Sequence, residues 1–489
     1  MASASATVGS GYGALFNETQ RMRSLAIVLM LLIATLDVLI VATAMPTILQ
    51  QLGNVELYSW VFSAYNLSNI AALPVFGALT GRWGVLRTMA LAVAVFAAGS
   101  VVAALADSML MLVVGRAVQG LGAGGLFALP NLIIARYYPD DLRPRAIALS
   151  SAVWGVSALA GPLAGGLLLD LWGWHAIFWV NLPICAVIML LGVLGLRGVD
   201  QGDPQAAPAN LHSPLLLTLA AGLLLAAPAA GEWTYRVALV AGGLVTGLGY
   251  ALADRRSRFP IVPPEVWRAA GPLGVAIATL ALISVGFFAA ETFLPLLLQT
   301  GRGLSASVSG ALISVGALAW MIGTFWVSRR DDLGPRQQTL LGLAVIIAGV
   351  AGLLLLIGLG LPAPLAFVFW GMGGLGMGIL VPSCTTVVLD AARGSEAGRI
   401  TAAGQLMQNL GISVGAALAG AIAALGFGPA FDPRATHSGL ASTAAQATIE
   451  RGVAYALLFG LGMLVLSLLL ARRLPERRLT EAEGLGAEG

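Results

Sequence analysis

Trp154-Gly155-Val156-Ser157-Ala158-Leu159-Ala160-Gly161-Pro162-Leu163-Ala164-Gly165-Gly166 lies inside an apolar run from Ile147 to Leu169. Gly155, Gly161, Gly165 and Gly166 strip part of a helix surface down to backbone, so another helix can approach closely. Pro162 lacks a backbone donor and its ring crowds the carbonyl of Ala158, which bends the helix there. A flat, bent face of this kind suits two bodies that meet and part repeatedly. It equally suits ordinary glycine-mediated packing in a membrane helix, so the surrounding chain has to separate the two readings.

Of the 489 residues, 58% are apolar and 10% charged, whereas a soluble domain carries roughly 25% charge. The composition therefore implies an all-α, polytopic membrane protein. The formal net charge of +3 says little about partners. All 26 basic residues are arginine, and the absence of lysine excludes a P-loop ATP site and Schiff-base chemistry. Cys185 and Cys384 fall inside apolar runs and read as packing residues rather than a disulfide. The first apolar run, Leu25 to Leu49, is too long for a signal peptide and contains Asp37.

After a tail over residues 1–24, spans are expected at 25–49, 57–79, 87–106, 109–135, 146–170 and 175–197, an N-terminal bundle over 25–198. Residues 199–270 read as a linker holding two inserted spans, 213–230 and 236–253. Six more spans follow at 272–298, 306–328, 337–360, 363–389, 399–427 and 452–471, a second bundle over 271–473 before a tail at 474–489. Each is long enough for a hydrocarbon core of about 30 Å, and the count is 14. With the N-terminal tail inside, inner segments hold 21 arginines and outer loops four, Arg236, Arg302, Arg434 and Arg451. That bias predicts a multi-pass plasma (inner) membrane protein with both termini cytoplasmic. The halves also repeat: Gly122, Gly124 and Pro130 recur 252 residues later as Gly374, Gly376 and Pro382. Arg82 to Arg87 has a counterpart in Asp331 to Arg336, and Asn409 to Gly420 echoes the glycine-rich fifth span without its proline. Two six-helix bundles related by an axis along the membrane normal are what such a repeat implies.

Several motifs carry a family resemblance. Trp154 to Gly166 resembles the G-x5-GP-x2-GG antiporter motif on the fifth helix of exporters in the major facilitator superfamily. Leu36-Asp37-Val38-Leu39-Ile40-Val41 with Met45-Pro46 is similar to the first-helix signature of its 14-span drug:proton antiporters. Trp60 and Tyr65, leading to Gly77 and Arg82, match their second helix, and Arg116-Ala117-Val118-Gln119-Gly120-Leu121-Gly122 matches the RxxQGxG motif of the fourth. The second half matches through Leu294-Pro295-Leu296 and Gln299. The resemblance implies the major facilitator fold and export of small lipophilic or cationic compounds, such as drugs, in exchange for protons by alternating access. It assigns the fifth-helix residues, Pro162 included, to conformational change and Arg82, Gly84, Arg87, Asp331, Asp332 and Arg336 to an inner gate. The family's inner loop reads G-x-L-x-D-R-x-G, and here Gly81 replaces its acidic residue, which leaves the latch to the second half or weakens it.

Ionisable residues deep in spans are functional candidates by default. Asp37 lies 14 residues beyond Arg23, about 21 Å along a helix. Arg116 lies nine residues in from Asp107, about 14 Å from the outer end, so the two can meet. A carboxylate facing a fixed cation holds its charge, and separation or desolvation favours its proton. Such a pair either couples proton binding to conformation or stands as a static ion pair setting helix register. Glu291, on the first helix of the second bundle, is either a second proton or cation site or a rim residue. Trp60, Tyr65, Asn66, Gln119, Trp154, Phe288, Trp320, Gln405 and Asn409 are candidates for lining a substrate cavity, with interface anchoring or packing as the alternative for several. Asp170, Glu56 and Asp107 sit at outer boundaries and read as solvated. Gly371 to Gly376 fits GxGxxG but has no preceding strand, so it reads as helix packing. His175, His212 and His437 have no metal-ligand spacing. No enzymatic motif, metal site, cofactor or nucleic-acid partner is expected; the expected partners are a small-molecule substrate, protons and lipid, and the expected state a monomer. Two other functions stay open, a dedicated exporter of one metabolite, lipid or peptide and a non-transporting membrane receptor.

Overall fold

Without water to satisfy the backbone, a chain this apolar must bond its amides internally, and helices do so within one segment. The computed structural model describes residues 12–18, 20–139, 142–198, 216, 219–220, 222–223, 233–256, 271–330, 332–391, 397–427 and 443–476, and among these the regular structure is helical. The first bundle consists of α1 (Arg21–Leu52), α2 (Trp60–Trp83), α3 (Val85–Ala104), α4 (Met109–Tyr137), α5 (Arg143–Trp172), and α6 (Trp174–Trp179) continued by α7 (Asn181–Leu196). The second consists of α9 (Pro272–Leu296) with a π-helical turn Leu297–Gly301, α10 (Ala306–Val327), α11 (Pro335–Gly358), α12 (Leu365–Ala391), α13 (Ala397–Phe427) and α14 (Thr443–Ala471). Between them lies α8 (Trp233–Arg256).

Eleven of these segments are long and apolar enough to cross a membrane, α6 and α7 counting as one. The twelfth bundle member, α2, has 24 residues but carries Ser63, Asn66, Ser68, Asn69 and Thr80 along its length. Ser63, Asn69 and Thr80 are buried against its neighbours. Of the inserted pair, α8 is described, and the span expected at 213–230 falls mostly outside the described residues. Where both are described they touch: a Cβ at Gly242 would meet Leu223 at 3.6 Å and one at Gly247 would meet Ala220 at 3.7 Å. Residues 443–450, expected as loop, form the start of α14, because a helix need not stop where the hydrocarbon stops.

Within each bundle the fourth member is the axle. A Cβ on Gly120 would land on the Tyr65 carbonyl of α2, one on Gly122 on the Phe96 amide of α3, and one on Gly124 within 2.8 Å of the Asn69 carbonyl. In the second bundle Gly374, Gly376 and Gly378 of α12 take the same places, against Gly316 of α10, Gly342 of α11 and Trp320 of α10. The contacts therefore pair Gly120 with Gly374, an offset of 254 residues and not the 252 expected from the sequence. In this register Arg116 corresponds to Trp370.

The bundles meet along α5 with α10 and α2 with α13, and only part of each seam is closed. Near the face away from the chain termini, Gly166 would clash with Ser307 (a Cβ there lies 2.6 Å from its Cα) and Gly310 with the Pro162 carbonyl, and Ser314 Oγ donates to the Leu159 carbonyl at 2.7 Å. Gly155 lies on the same face of α5, three turns nearer the termini, and no described atom stands within 4 Å of its Cβ position. On α2, Gly420 presses on Ser59, and Ser63 Oγ donates to the Ser413 carbonyl at 3.1 Å. Five turns along the same line, no described atom lies within 4 Å of the Cβ position of Gly77. The α5–α10 seam thus diverges toward the face that carries the start of α1 and the end of α14, the termini face.

Candidate functional site

Five elements of the first bundle bring their polar groups to one point. Asp37 of α1 is ion-paired through Oδ2 with Arg116 Nη1 of α4, and both side chains are fully buried. Gln119, one turn from Arg116, accepts from Arg116 Nη1 at 2.9 Å and donates to Asp37 Oδ1 at 3.3 Å. Asn181, the first residue of α7, donates to the same Oδ1 at 2.9 Å. Ser100 of α3 accepts from Gln119 at 2.8 Å and from Asn181 at 3.3 Å. The guanidinium lies 4.2 Å from the centroid of the Tyr65 ring of α2, and its Nε donates to the Val61 carbonyl at 3.4 Å. A charge taken out of water is costly unless paired and hydrogen-bonded, and here the carboxylate is supplied by three donor side chains. Arg116 Nη2 has no hydrogen-bond partner among the described residues.

The sequence singled out Asp37 and Arg116 and the structure brings them together. Tyr65 and Gln119, expected as cavity lining, are buried inside this ionic cluster. Asn181 and Ser100 were not singled out. Asn181 stands where the Trp174–Leu196 span is interrupted at Val180, and an amide opening a helix inside an apolar run is the signal that was available.

Glu291 is apart from this cluster, on α9 of the second bundle, partly exposed, and no ion pair or hydrogen bond joins it to a described residue. Beside it the second bundle is aromatic where the first is ionic. Phe287 stacks on Trp370 with centroids 4.7 Å apart, and Phe288 and Trp320 stand edge-on to Phe287 at 5.4 and 6.1 Å. Trp60 packs at the α2–α13 seam against Leu67, Ala417, Leu410 and Val414. Asn66 and Asn409 are partly exposed; the side chains of Trp154 and Gln405 lie outside the described residues.

In the fifth-helix motif, Gly161 and Gly165 meet α1 at Leu39 and Ile40, whereas Pro162 and Gly166 meet α10 of the other bundle. Of the gate residues, Gly84 breaks α2 from α3 with φ 85°, while Arg82 and Arg87 are exposed on the termini face. Arg336 pairs with Glu476 at 2.8 Å and Asp332 with Arg330 at 3.5 Å, both within one bundle; Asp331 lies outside the described residues. On the opposite face the bundles are bonded: Gln50 Nε2 donates to Thr300 Oγ1 at 3.2 Å, Gln299 Nε2 to the Thr43 carbonyl at 2.8 Å, Tyr58 to the Thr292 carbonyl at 3.1 Å, and Ser307 to the Asp170 carboxylate. Asp170, Glu56 and Asp107 are exposed, and Cys185 and Cys384 are free and buried.

The profile of the Major Facilitator Superfamily matches residues 27–416. The multidrug transporter protein MdtP of Bacillus subtilis (strain 168) is 27% identical over 410 residues, 81% of this chain and 74% of the relative. The multidrug efflux pump SdrM of Staphylococcus aureus (strain N315) is 25% identical over 412 residues, 83% of this chain and 91% of the relative. Among solved structures, a bacterial homologue of the human lysosomal transporter Spinster, in an inward-facing and occupied conformation, superposes with a TM-score of 0.63 at 17% identity, covering 93% of this chain and 96% of that one. A D-xylose–proton symporter superposes with a TM-score of 0.63 at 13% identity, covering 94% and 99%. These two likenesses concern the fold.

Proposed function

The chain belongs to the major facilitator superfamily, and on that premise we propose that it exports small lipophilic or cationic compounds across the plasma membrane in exchange for protons. The observation that carries the reading is the sealed Asp37–Arg116 pair in a molecule whose bundles part toward the termini face. With the termini cytoplasmic, as the arginine bias favours, this is the conformation that takes cargo from the cytoplasm. In it the partner of the acid is Arg116. In the opposite conformation the pair separates, a proton from outside replaces the guanidinium as partner of Asp37, and return to the termini-open state expels it inward. The names of the relatives, multidrug transporter and multidrug efflux pump, support a broad cargo range over a dedicated metabolite. One proton crossing about 100 mV gains about 2.3 kcal/mol, and a gradient of one pH unit adds about 1.4 kcal/mol. Their total of about 3.7 kcal/mol sustains a cargo gradient of about 500-fold.

The test is proton flux in proteoliposomes carrying the monomer, across a panel of cations, neutral drugs and lipids. Several compounds should evoke proton movement in the wild type. Asp37→Asn, which stands for a permanently protonated acid, should let cargo equilibrate without accumulating it and should release no proton. Undiminished proton-driven accumulation by that variant overturns the assignment. A response to one compound alone would make the protein a dedicated exporter, and binding with no flux a receptor.

A further inference from the structure

We propose that Tyr65 is a positioning residue for the exchange: its ring is the reserve partner of Arg116 and holds the guanidinium while Asp37 carries a proton. A guanidinium does not shed its own proton, so a buried arginine must be satisfied in every state the molecule visits. Asp37 satisfies it in the state seen here. The other groups around Arg116 share one property. The Tyr65 ring, its centroid 4.2 Å from Cζ, and the Val61 carbonyl belong to α2, and the Gln119 amide oxygen belongs to α4 itself. None of these three is on α1.

That division follows the packing. Helices α2 and α4 touch backbone to backbone: a Cβ on Gly120 would lie 2.2 Å from the Tyr65 carbonyl, and one on Gly124 would lie 3.0 Å from the Leu73 amide nitrogen. Surfaces that close leave no room for sliding, so ring and guanidinium keep their places relative to each other. Asp37 belongs to a different pair. Helix α1 is packed on α5, where Cβ atoms on Gly161 and Gly165 would lie 3.0 Å from Leu39 Cβ and 2.9 Å from Ile40 Cα. Tyr65 reaches α1 through its hydroxyl, which donates to the Ala34 carbonyl at 3.3 Å, one turn before Asp37. When α1 withdraws or its acid is neutralised, Arg116 therefore loses Asp37 and keeps the ring.

The carbonyl oxygens of Val61 and Gln119 serve Nε and Nη1, while Nη2 has no hydrogen-bond partner among the described residues. An aromatic face attracts the whole delocalised cation, most strongly where water is excluded, and Arg116 and Tyr65 are 0% and 1% exposed. Among the described residues, α3, α5 and α7 bring no further charge to the pair. Ser100, Ser157 and Asn181 are uncharged, and Cys185 is a buried thiol.

The effect on exchange rests on the export reading; the sharing of Arg116 does not, and a stability measurement reads it without transport. Thermal unfolding of the full chain in detergent is followed for Tyr65→Leu and Tyr65→Phe, each alone and combined with Asp37→Asn, which stands for the protonated acid. Tyr65→Leu should lower the unfolding temperature at least twice as far with Asp37→Asn as without it, because only then does the cation depend on the ring. Tyr65→Phe keeps the ring and loses the hydroxyl, so it should recover most of that difference. In proteoliposomes, Tyr65→Leu should raise the proton concentration needed for half-maximal exchange about three- to thirtyfold. Equal losses in both backgrounds would mean that the ring only fills space. A Tyr65→Phe as damaging as Tyr65→Leu would assign the effect to the Ala34 bond. Either result overturns the proposal, as does an exchange midpoint that Tyr65→Leu leaves unmoved. If Tyr65→Leu does not fold, Tyr65→pentafluorophenylalanine keeps the shape of the ring and removes the negative potential of its face. With Asp37→Asn present it should unfold at a lower temperature than Tyr65→Phe, and equal temperatures overturn the proposal. A background-dependent loss in a protein that exchanges no protons for any cargo keeps the role of Tyr65 and overturns the exchange reading.

Discussion

Asp37 has a cation and two further donor side chains around it, so each partner can be removed separately and read by a different measurement. Arg116→Ala leaves a buried carboxylate unpaired, and thermal unfolding in detergent should show a loss of about 3–5 kcal/mol. Adding Asp37→Asn to that variant removes the orphaned charge and should restore much of the loss, which a merely additive pair would not do. Asn181→Ala deletes one hydrogen bond to the charged oxygen and should cost about 1.5–3 kcal/mol without unfolding the protein, while shifting the pH profile of exchange. An unchanged profile would reduce Asn181 to a structural role. Asp37 and Arg116 were legible because charge inside an apolar run is rare and expensive. Asn181 and Ser100 were not, because uncharged polar residues are frequent in spans and only the packing of α7 and α3 on α1 and α4 shows which ones reach the acid.

Helix α5 is one element with two different seams. Gly161 and Gly165 bind it to α1 inside its bundle, and Pro162 and Gly166 bind it to α10 across the divide. Gly161→Leu and Gly165→Leu should therefore disturb the bundle itself and lower the yield of folded protein. Gly166→Leu has no room against Ser307 and should force the opposite face apart. Gly155→Leu meets nothing in the termini-open state, so it should fold normally yet obstruct closure and abolish transport; normal transport by this variant would show that the α5–α10 seam does not close at that level. The existence of α5 and its close-packing function were readable from glycine spacing, but not the division of labour, which depends on which neighbour each face meets. The repeat register was misread for a related reason. Gly120-Leu121-Gly122-Ala123-Gly124 alternates glycine every second residue, as does Gly374-Leu375-Gly376-Met377-Gly378, so a slip of two still aligns glycines. The contacts with α2, α3, α10 and α11 remove that ambiguity.

For the whole molecule, alternating access requires that what is joined on one face be parted while the other face closes. The bonds of Gln50, Tyr58, Gln299 and Ser307 across the far face belong to the state seen here. Arg82 and Asp332, exposed on the termini face in opposite bundles, are free to carry reporters of the other state. With the two buried cysteines replaced, spin labels at positions 82 and 332 should report a long distance in the wild type. Labels at the exposed Glu56 and Ser305, on the opposite face, should report a short one. Asp37→Asn removes the charge that ties α1 to Arg116 while the molecule is open toward its termini. If the pair stabilises this state, the substitution must move the population toward the other, shortening the first distance and lengthening the second. A ligand or charge shifts an equilibrium only by the difference it makes between the two states, so both distances must change together and in opposite senses. Distances indifferent to the charge on Asp37 would mean that the ion pair is equally good in both conformations. The buried cluster would then be a fixed strut within the first bundle, and proton coupling would have to be sought elsewhere in the molecule.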